Sequence, residues 1–147
     1  MLTEKDYCDY DTCVALKELG YNQPSIAFYP CQDIIVDCVD SNGELYEAEY
    51  YKGNLVLYSS LNNKNHDINK VQAPLLYEAQ KWLREEKKID VGATWDNDED
   101  NWFSYIKQMG FPDWSGTSVS HSCYSSYEEA LSEGIKETIK ILMDERI

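Results

Sequence analysis

Three stretches of the chain carry apolar residues at the spacing of a helix that buries one face. The first stretch is Tyr10–Leu19, where Asp9 is placed to cap the helix and Gly20 to end it in a left-handed conformation. The second begins at Pro74, a residue suited to a first helical turn, and runs to about Lys87. Both stretches therefore predict amphipathic helices.

The third stretch, near the C-terminus, gives the strongest helix prediction. Ser126 and Glu129 have the spacing of a capping box. The inward positions then recur at helical intervals: Leu131, Ile135, Thr138 and Leu142. Gly134 lies inside this helix at a cost of about 1 kcal/mol relative to alanine. Close packing against a neighbouring backbone would explain the glycine, and neutral drift would explain it equally well.

Alternating and β-branched runs predict two hairpins. Ile34–Val39 is followed by turn residues with an Asn-Gly pair, and Glu44–Tyr51 then alternates as expected for a strand with one solvated face. Ile89–Trp95 and Asn101–Met109 enclose an acidic turn. Further short strands are predicted at 26–29, 55–59 and near residue 119, and a surface loop is predicted at 61–72.

These elements predict a single α+β domain over residues 1–147. It would contain an antiparallel sheet of hairpins and about three helices, with the C-terminal helix packed on the sheet. A chain of 147 residues is long enough to bury one substantial core.

The charge of the chain limits the partners it can bind. The net charge is −14, and residues 1–50 contain eleven acidic side chains against two basic ones. Nucleic-acid binding needs cations placed against phosphate, so it is disfavoured, as is binding to an anionic membrane. No apolar run approaches the roughly 18 residues of a membrane span, and Met1–Asp6 lacks the apolar stretch of a secretory signal. An odd count of five cysteines favours reduced thiols, and hence a cytoplasmic location.

The residues with catalytic or metal-binding chemistry form no complete set. Asp96, Asp98 and Asp100 alternate like the first ligands of a calcium loop, but Asn101 and Lys107 occupy the positions that require glycine and glutamate. No metal site is therefore predicted. The cysteine pairs are spaced too widely for a zinc site, and no Gly-x-Gly motif is present to hold a phosphate, so no cofactor is predicted.

One histidine and one cysteine are close enough in sequence to act together. His121 and Cys123 would share a face of a strand, where a thiol could meet a base. No third residue is apparent to orient the histidine. The two residues are weak candidates for catalysis.

Segments 16–21, 73–86 and 126–135 together resemble small proteins of gut Bacteroides-type bacteria, their prophages and their phages. That group carries no established activity or catalytic residues. The resemblance implies a bacterial or phage cytoplasmic accessory protein from a mobile element. Residues 89–144 also look like the HicB-type antitoxin domain, which would neutralise an RNase partner by direct contact. The connection 110–125 departs from that pattern.

Three function classes remain. The first is a non-enzymatic interaction protein that contacts an unknown partner protein. In its more specific form, it is an inhibitor whose acidic surface occupies a basic, nucleic-acid-binding surface on a host or defence protein, and in the alternative the charge only keeps the protein soluble. Its candidate contact residues are Glu44, Glu47, Glu49, Asp96, Asp98, Glu99 and Asp100.

The second is a small-ligand protein that stacks a nucleotide base on tryptophan. Its candidate residues are Trp82, Trp95, Trp102 and Trp114. The third is an enzyme of unassigned reaction.

Overall fold

The computed structural model describes residues 2–60, 68–110, 117–119 and 123–144. The chain divides into two compact units. We call Asp9–Pro74 the hairpin unit, and Met1–Cys8 together with Leu75–Ile147 the sheet–helix unit. The sequence predicted one domain over residues 1–147, and this stays a prediction.

The hairpin unit contains one helix and five short strands among its described residues. These are α1 (Tyr10–Glu18), β1 (Ala27–Pro30), β2 (Ile34–Val39), β3 (Leu45–Tyr50), β4 (Val56–Leu57) and β5 (Lys70–Gln72). The predicted caps of α1 are confirmed. The Asp9 carboxylate accepts a hydrogen bond from the Thr12 N–H at 2.9 Å, and Gly20 has a φ of +107°. The apolar side chains Cys13, Leu16 and Leu19, at helical spacing, are buried.

Strand β1 is the central strand of a three-stranded antiparallel sheet with the order β4-β1-β5. Phe28 on β1 lies opposite both Val56 and Gln72. The sequence pattern placed residues 70–72 in a surface loop, which is wrong. This three-residue strand is stabilised by pairing with a segment about 40 residues earlier, and no local pattern records such a partner.

Strands β2 and β3 form a separate two-stranded sheet. The two strands pair residue by residue from Ile34↔Tyr50 to Val39↔Leu45, so the hairpin predicted from the sequence is confirmed. The turn is held by Asp40, whose Oδ1 accepts the N–H groups of Asn42 at 2.8 Å and Glu44 at 2.9 Å. A two-stranded hairpin is only marginally stable by itself. On its inner side Cys38 is buried, at 1% exposure, whereas its cross-strand partner Tyr46 is 37% exposed.

The sheet–helix unit contains two long helices and a three-stranded antiparallel sheet among its described residues. The elements are α2 (Leu76–Glu86), β6 (Ile89–Asp96), β7 (Asn101–Gln108), β8 (Thr117–Val119) and α3 (Tyr127–Asp144), with the strand order β6-β7-β8. The predicted cap of α3 is confirmed, because Ser126 Oγ accepts the Glu129 N–H at 3.1 Å. Helix α2 begins without a polar cap residue, and Glu78 Oε1 instead accepts the Leu75 N–H at 2.9 Å.

Helix α3 packs on one face of the β6–β7 hairpin. A Cβ atom on Gly134 would lie 2.9 Å from Val91 Cγ2 and 3.1 Å from Ser104 Cβ, so the glycine allows close approach of the helix to the sheet. Its nearest neighbours are side chains, whereas the sequence suggested a neighbouring backbone. Ile135 is fully buried in the same contact. The predicted fold class is confirmed: α+β, with antiparallel hairpin strands, three α-helices in the described residues and the C-terminal helix packed on strands.

Candidate functional site

The hairpin β2–β3 presents one solvent-facing side, which we call the outer face. Alternation along each strand points every second side chain to this side, and the register makes three cross-strand pairs. The pairs are Ile35↔Glu49, Asp37↔Glu47 and Val39↔Leu45. All six residues are exposed. The outer face therefore combines three carboxylates with three aliphatic side chains.

The aliphatic residues of the outer face contribute little to the packing of this chain. Leu45 is 79% exposed and Ile35 is 65% exposed. Single exposed apolar residues are normal on a soluble protein, but an exposed group of them on one sheet face is a feature of interaction surfaces. The sequence predicted Glu47 and Glu49 as contact residues here, but not their aliphatic partners. The period-two pattern of Ile34–Val39 could have identified Ile35 and Val39.

The carboxylates of the outer face are arranged unfavourably for an isolated hairpin. Asp37 and Glu47 lie directly opposite each other, and like charges in that position destabilise a strand pair. Residues 34–51 contain no lysine or arginine to offset them. Glu49 accepts a hydrogen bond from the Tyr51 hydroxyl, and this contact together with the nearby charge raises the pKa of Tyr51. Glu44 extends the acidic surface at the turn, where it is exposed.

The second predicted acidic group lies in the sheet–helix unit, at the turn between β6 and β7. Asp98, Glu99 and Asp100 are exposed, and Asp96 is half-buried. The Asp96 carboxylate is part of the turn itself, because its Oδ1 accepts the Asp98 N–H at 2.9 Å. Asp100 has a φ of +52°, a conformation that aspartate tolerates better than most residues. This geometry is that of a solvated hairpin tip, with no aliphatic partners like those of the outer face.

The predicted tryptophans do not form a common stacking surface among the described residues. Trp82 is buried on α2, with the Lys87 ammonium 5.5 Å from its ring centre. Trp95 and Trp102 are cross-strand partners with ring centres 5.5 Å apart, and Trp102 also meets the ring of Tyr127 on α3. These two tryptophans are thus edge-packed against each other, Trp102 also packs against the helix, and Trp95 is 43% exposed. Trp114 lies outside the described residues.

The sheet–helix unit has a concave surface that the sequence analysis did not identify. A pocket of about 620 Å³ opens on the side of the sheet opposite α3, and its aromatic lining residues are Phe103 and Tyr105. Burial and the nearby Asp90 carboxylate both raise the pKa of the Tyr105 hydroxyl, which is therefore protonated at neutral pH. The alternation of Phe103, Tyr105 and Lys107 along one strand is the signal that could have identified this surface.

The remaining candidates concern catalysis and metal binding. Cys123 is exposed, and His121 lies outside the described residues, so their pairing stays a prediction. Within the part of the chain that the structure describes, no group of three or more histidine, cysteine, aspartate or glutamate side chains is placed to hold a metal ion.

Comparison with known proteins identified no relative. No family model, no curated protein and no solved structure matches this chain. The resemblances to Bacteroides-type phage proteins and to the HicB-type domain therefore stay predictions. None of the helices formed by the described residues combines the length and the apolar character needed to cross a membrane.

Proposed function

We propose that this chain is an interaction protein that binds a basic partner protein through the outer face of β2–β3. The observation that carries the proposal is the pairing of carboxylates with highly exposed aliphatic residues on one strand pair. The aliphatic residues offer area that a partner can bury, worth about 1.5–3 kcal/mol for each side chain that becomes fully buried. The carboxylates favour a partner that brings cationic side chains to the same surface.

The charge pattern favours a cationic partner. A lysine or arginine placed between Asp37 and Glu47 would remove the like-charge repulsion across the two strands. The net charge of −14 would also attract such a partner over longer distances and raise the rate of association. A nucleic-acid-binding surface on a host or defence protein has the required cations, so an inhibitor that competes with nucleic acid is the specific form of this proposal.

Two further features support the cellular setting that the proposal implies. The five cysteines, all within the described residues, are in the thiol form and not in disulfides, which favours a reducing compartment such as the cytoplasm of a bacterial or phage-infected cell. The resemblance to proteins of mobile elements fits an accessory protein that acts on a component of its host.

Site-specific photocrosslinking in the cell of origin tests the proposal. A photoreactive residue replaces Leu45 on the outer face, and a matched control carries it at Tyr77, which is 62% exposed on α2. We expect one discrete crosslinked protein of basic isoelectric point from position 45, and none from position 77. We also expect DNA or RNA to reduce the yield by competition.

Two outcomes would reject the proposal. One is the absence of a crosslinked protein at position 45 when the variant is folded and abundant. The other is an equal pattern of products from positions 45 and 77, since that pattern reports random collisions.

A further inference from the structure

The sheet β6-β7-β8 of the sheet–helix unit has two faces of different character. On the face that α3 covers, Val91 and Ser104 are 0% and 5% exposed. The opposite face is formed by the intervening residues, and along the central strand β7 these are Phe103, Tyr105 and Lys107. All three are half-exposed. We call this second surface the open face.

On the open face, a glycine leaves space for the aromatic ring of Tyr105. Gly92 on β6 lies directly opposite Tyr105 on β7. A Cβ atom at Gly92 would fall 2.6 Å from both Cζ and Oη of Tyr105, so the far end of the ring lies over the glycine backbone. The side chain thus extends across β6 instead of standing away from the sheet, and it forms an aromatic floor.

The pocket on the open face has the size of a small-molecule site. Its volume is about 620 Å³, within the usual range of roughly 300–1,000 Å³ for ligand pockets. Its lining combines the two rings with aliphatic and polar side chains. The lining residues are Asp90, Thr94, Phe103, Tyr105, Lys107, Thr117 and Val119.

One polar atom of the lining lacks a partner. The Thr117 Oγ1 atom is buried and makes no hydrogen bond in the described structure. A buried hydroxyl without a partner destabilises the protein, so a ligand group that bonds to it would remove that cost. In the same row of the sheet, Lys107 pairs with Thr117 on one side and with Asp90, of opposite charge, on the other. The lining therefore carries one acidic and one basic side chain, and its formal net charge is close to zero.

We propose that the open face binds a small planar heteroaromatic ring of the nucleobase type, as a free base or a nucleoside. The ring stacks on Tyr105, and one hydrogen-bonding edge reaches the Thr117 hydroxyl. Stacking on an aromatic side chain is available to every base, while the hydroxyl and the Asp90 carboxylate select among their edges. The neutral lining favours a nucleoside over a nucleotide. This site is independent of the hairpin surface and of the proposed partner protein.

Titration with adenosine, guanosine, cytidine and uridine, followed by isothermal calorimetry and by NMR of the labelled protein, tests this site. We expect at least one nucleoside to bind, with shift changes at Thr94, Phe103 and Tyr105. Tyr105→Leu should weaken binding roughly 5- to 150-fold, the loss expected for one stacking contact. Tyr105→Phe keeps the ring and should stay within about threefold of the unmodified protein. Tyr77→Leu on the exposed surface of α2 is the matched control and should change nothing.

A third variant keeps the test decisive if Tyr105→Leu does not fold. Thr117→Val retains the shape of the side chain and removes only the hydroxyl, and it should weaken the preferred nucleoside by about 5- to 10-fold. Failure of all four nucleosides to bind the unmodified protein would overturn the proposal. Unchanged affinity in folded Tyr105→Leu, or in Thr117→Val, would overturn it as well.

Discussion

Two hairpins among the described residues, β6–β7 and β2–β3, use the same alternation of side chains for different purposes. In β6–β7, one set of alternate residues is buried under α3, and its sequence is explained by packing around Gly134 and Ile135. In β2–β3, the outer set includes Leu45 at 79% exposure and places Asp37 against Glu47. Packing within the chain explains the first arrangement. The second arrangement leaves an aliphatic side chain in water and places two like charges opposite each other, which does not stabilise the fold. This difference is the basis of our proposal that the outer face contacts a partner outside this chain.

The largest expected effect compares an aliphatic side chain of α3, the helix that packs on β6–β7, with one on the outer face of β2–β3. Ile135→Ala removes a fully buried side chain and should lower the free energy of unfolding by about 2–5 kcal/mol, because it loses both burial and packing. Leu45→Ala removes an aliphatic side chain that is already mostly exposed to water. It should change the free energy of unfolding by less than about 0.5 kcal/mol. Urea denaturation followed by circular dichroism measures both.

Equal losses in the two variants would contradict the comparison. A large loss in Leu45→Ala would mean that the outer face packs within the chain in solution. A small loss in Ile135→Ala would mean that α3 does not bury its predicted face against the sheet.

A smaller effect of opposite sign is expected from charge reversal on the outer face. Glu47→Lys replaces a like-charge pair with Asp37 by an opposite-charge pair. It should therefore raise the free energy of unfolding by roughly 0.2–1 kcal/mol. The same denaturation experiment detects this change, and 1 M salt should reduce it by screening. Glu137→Lys, at an exposed position of α3, is the control for the change in net charge alone.

If Glu47→Lys lowers stability more than Glu137→Lys does, the like-charge pair is not a cost to the fold. The argument that the outer face retains unfavourable charges for binding would then fail.

The sequence predicted the parts of the fold that depend on local chemistry. The Asp9 cap, the Gly20 stop, the Ser126 cap and the Asn-Gly hairpin all act within a few residues, and the structure confirms them. Strand β5 was missed because its three residues are specified by a partner distant in the chain. Strand β4 was predicted, but its partner is β1, and a short apolar run does not encode that choice.

The candidate site was predicted only in part for a related reason. The acidic residues of the outer face could be identified by counting charges, since Glu44, Glu47 and Glu49 are close in sequence. Their aliphatic partners lie on the other strand or at a strand end, so the surface becomes visible only once the register is known. The aromatic floor likewise depends on the pairing of Gly92 with Tyr105, two residues 13 positions apart.

The binding of the partner captured at position 45 tests the central claim most directly. The dissociation constant is measured at 50 and 300 mM salt for the unmodified protein, for the double variant Glu47→Lys with Glu49→Lys, and for a control with Glu86→Lys and Glu137→Lys, which changes the net charge equally on exposed helix positions. We expect the outer-face variant to bind at least tenfold more weakly than the control, and the unmodified protein to lose affinity as salt rises. Equal weakening by the two variants, or an affinity that does not depend on salt, would contradict the proposal that the outer face of β2–β3 is the binding surface.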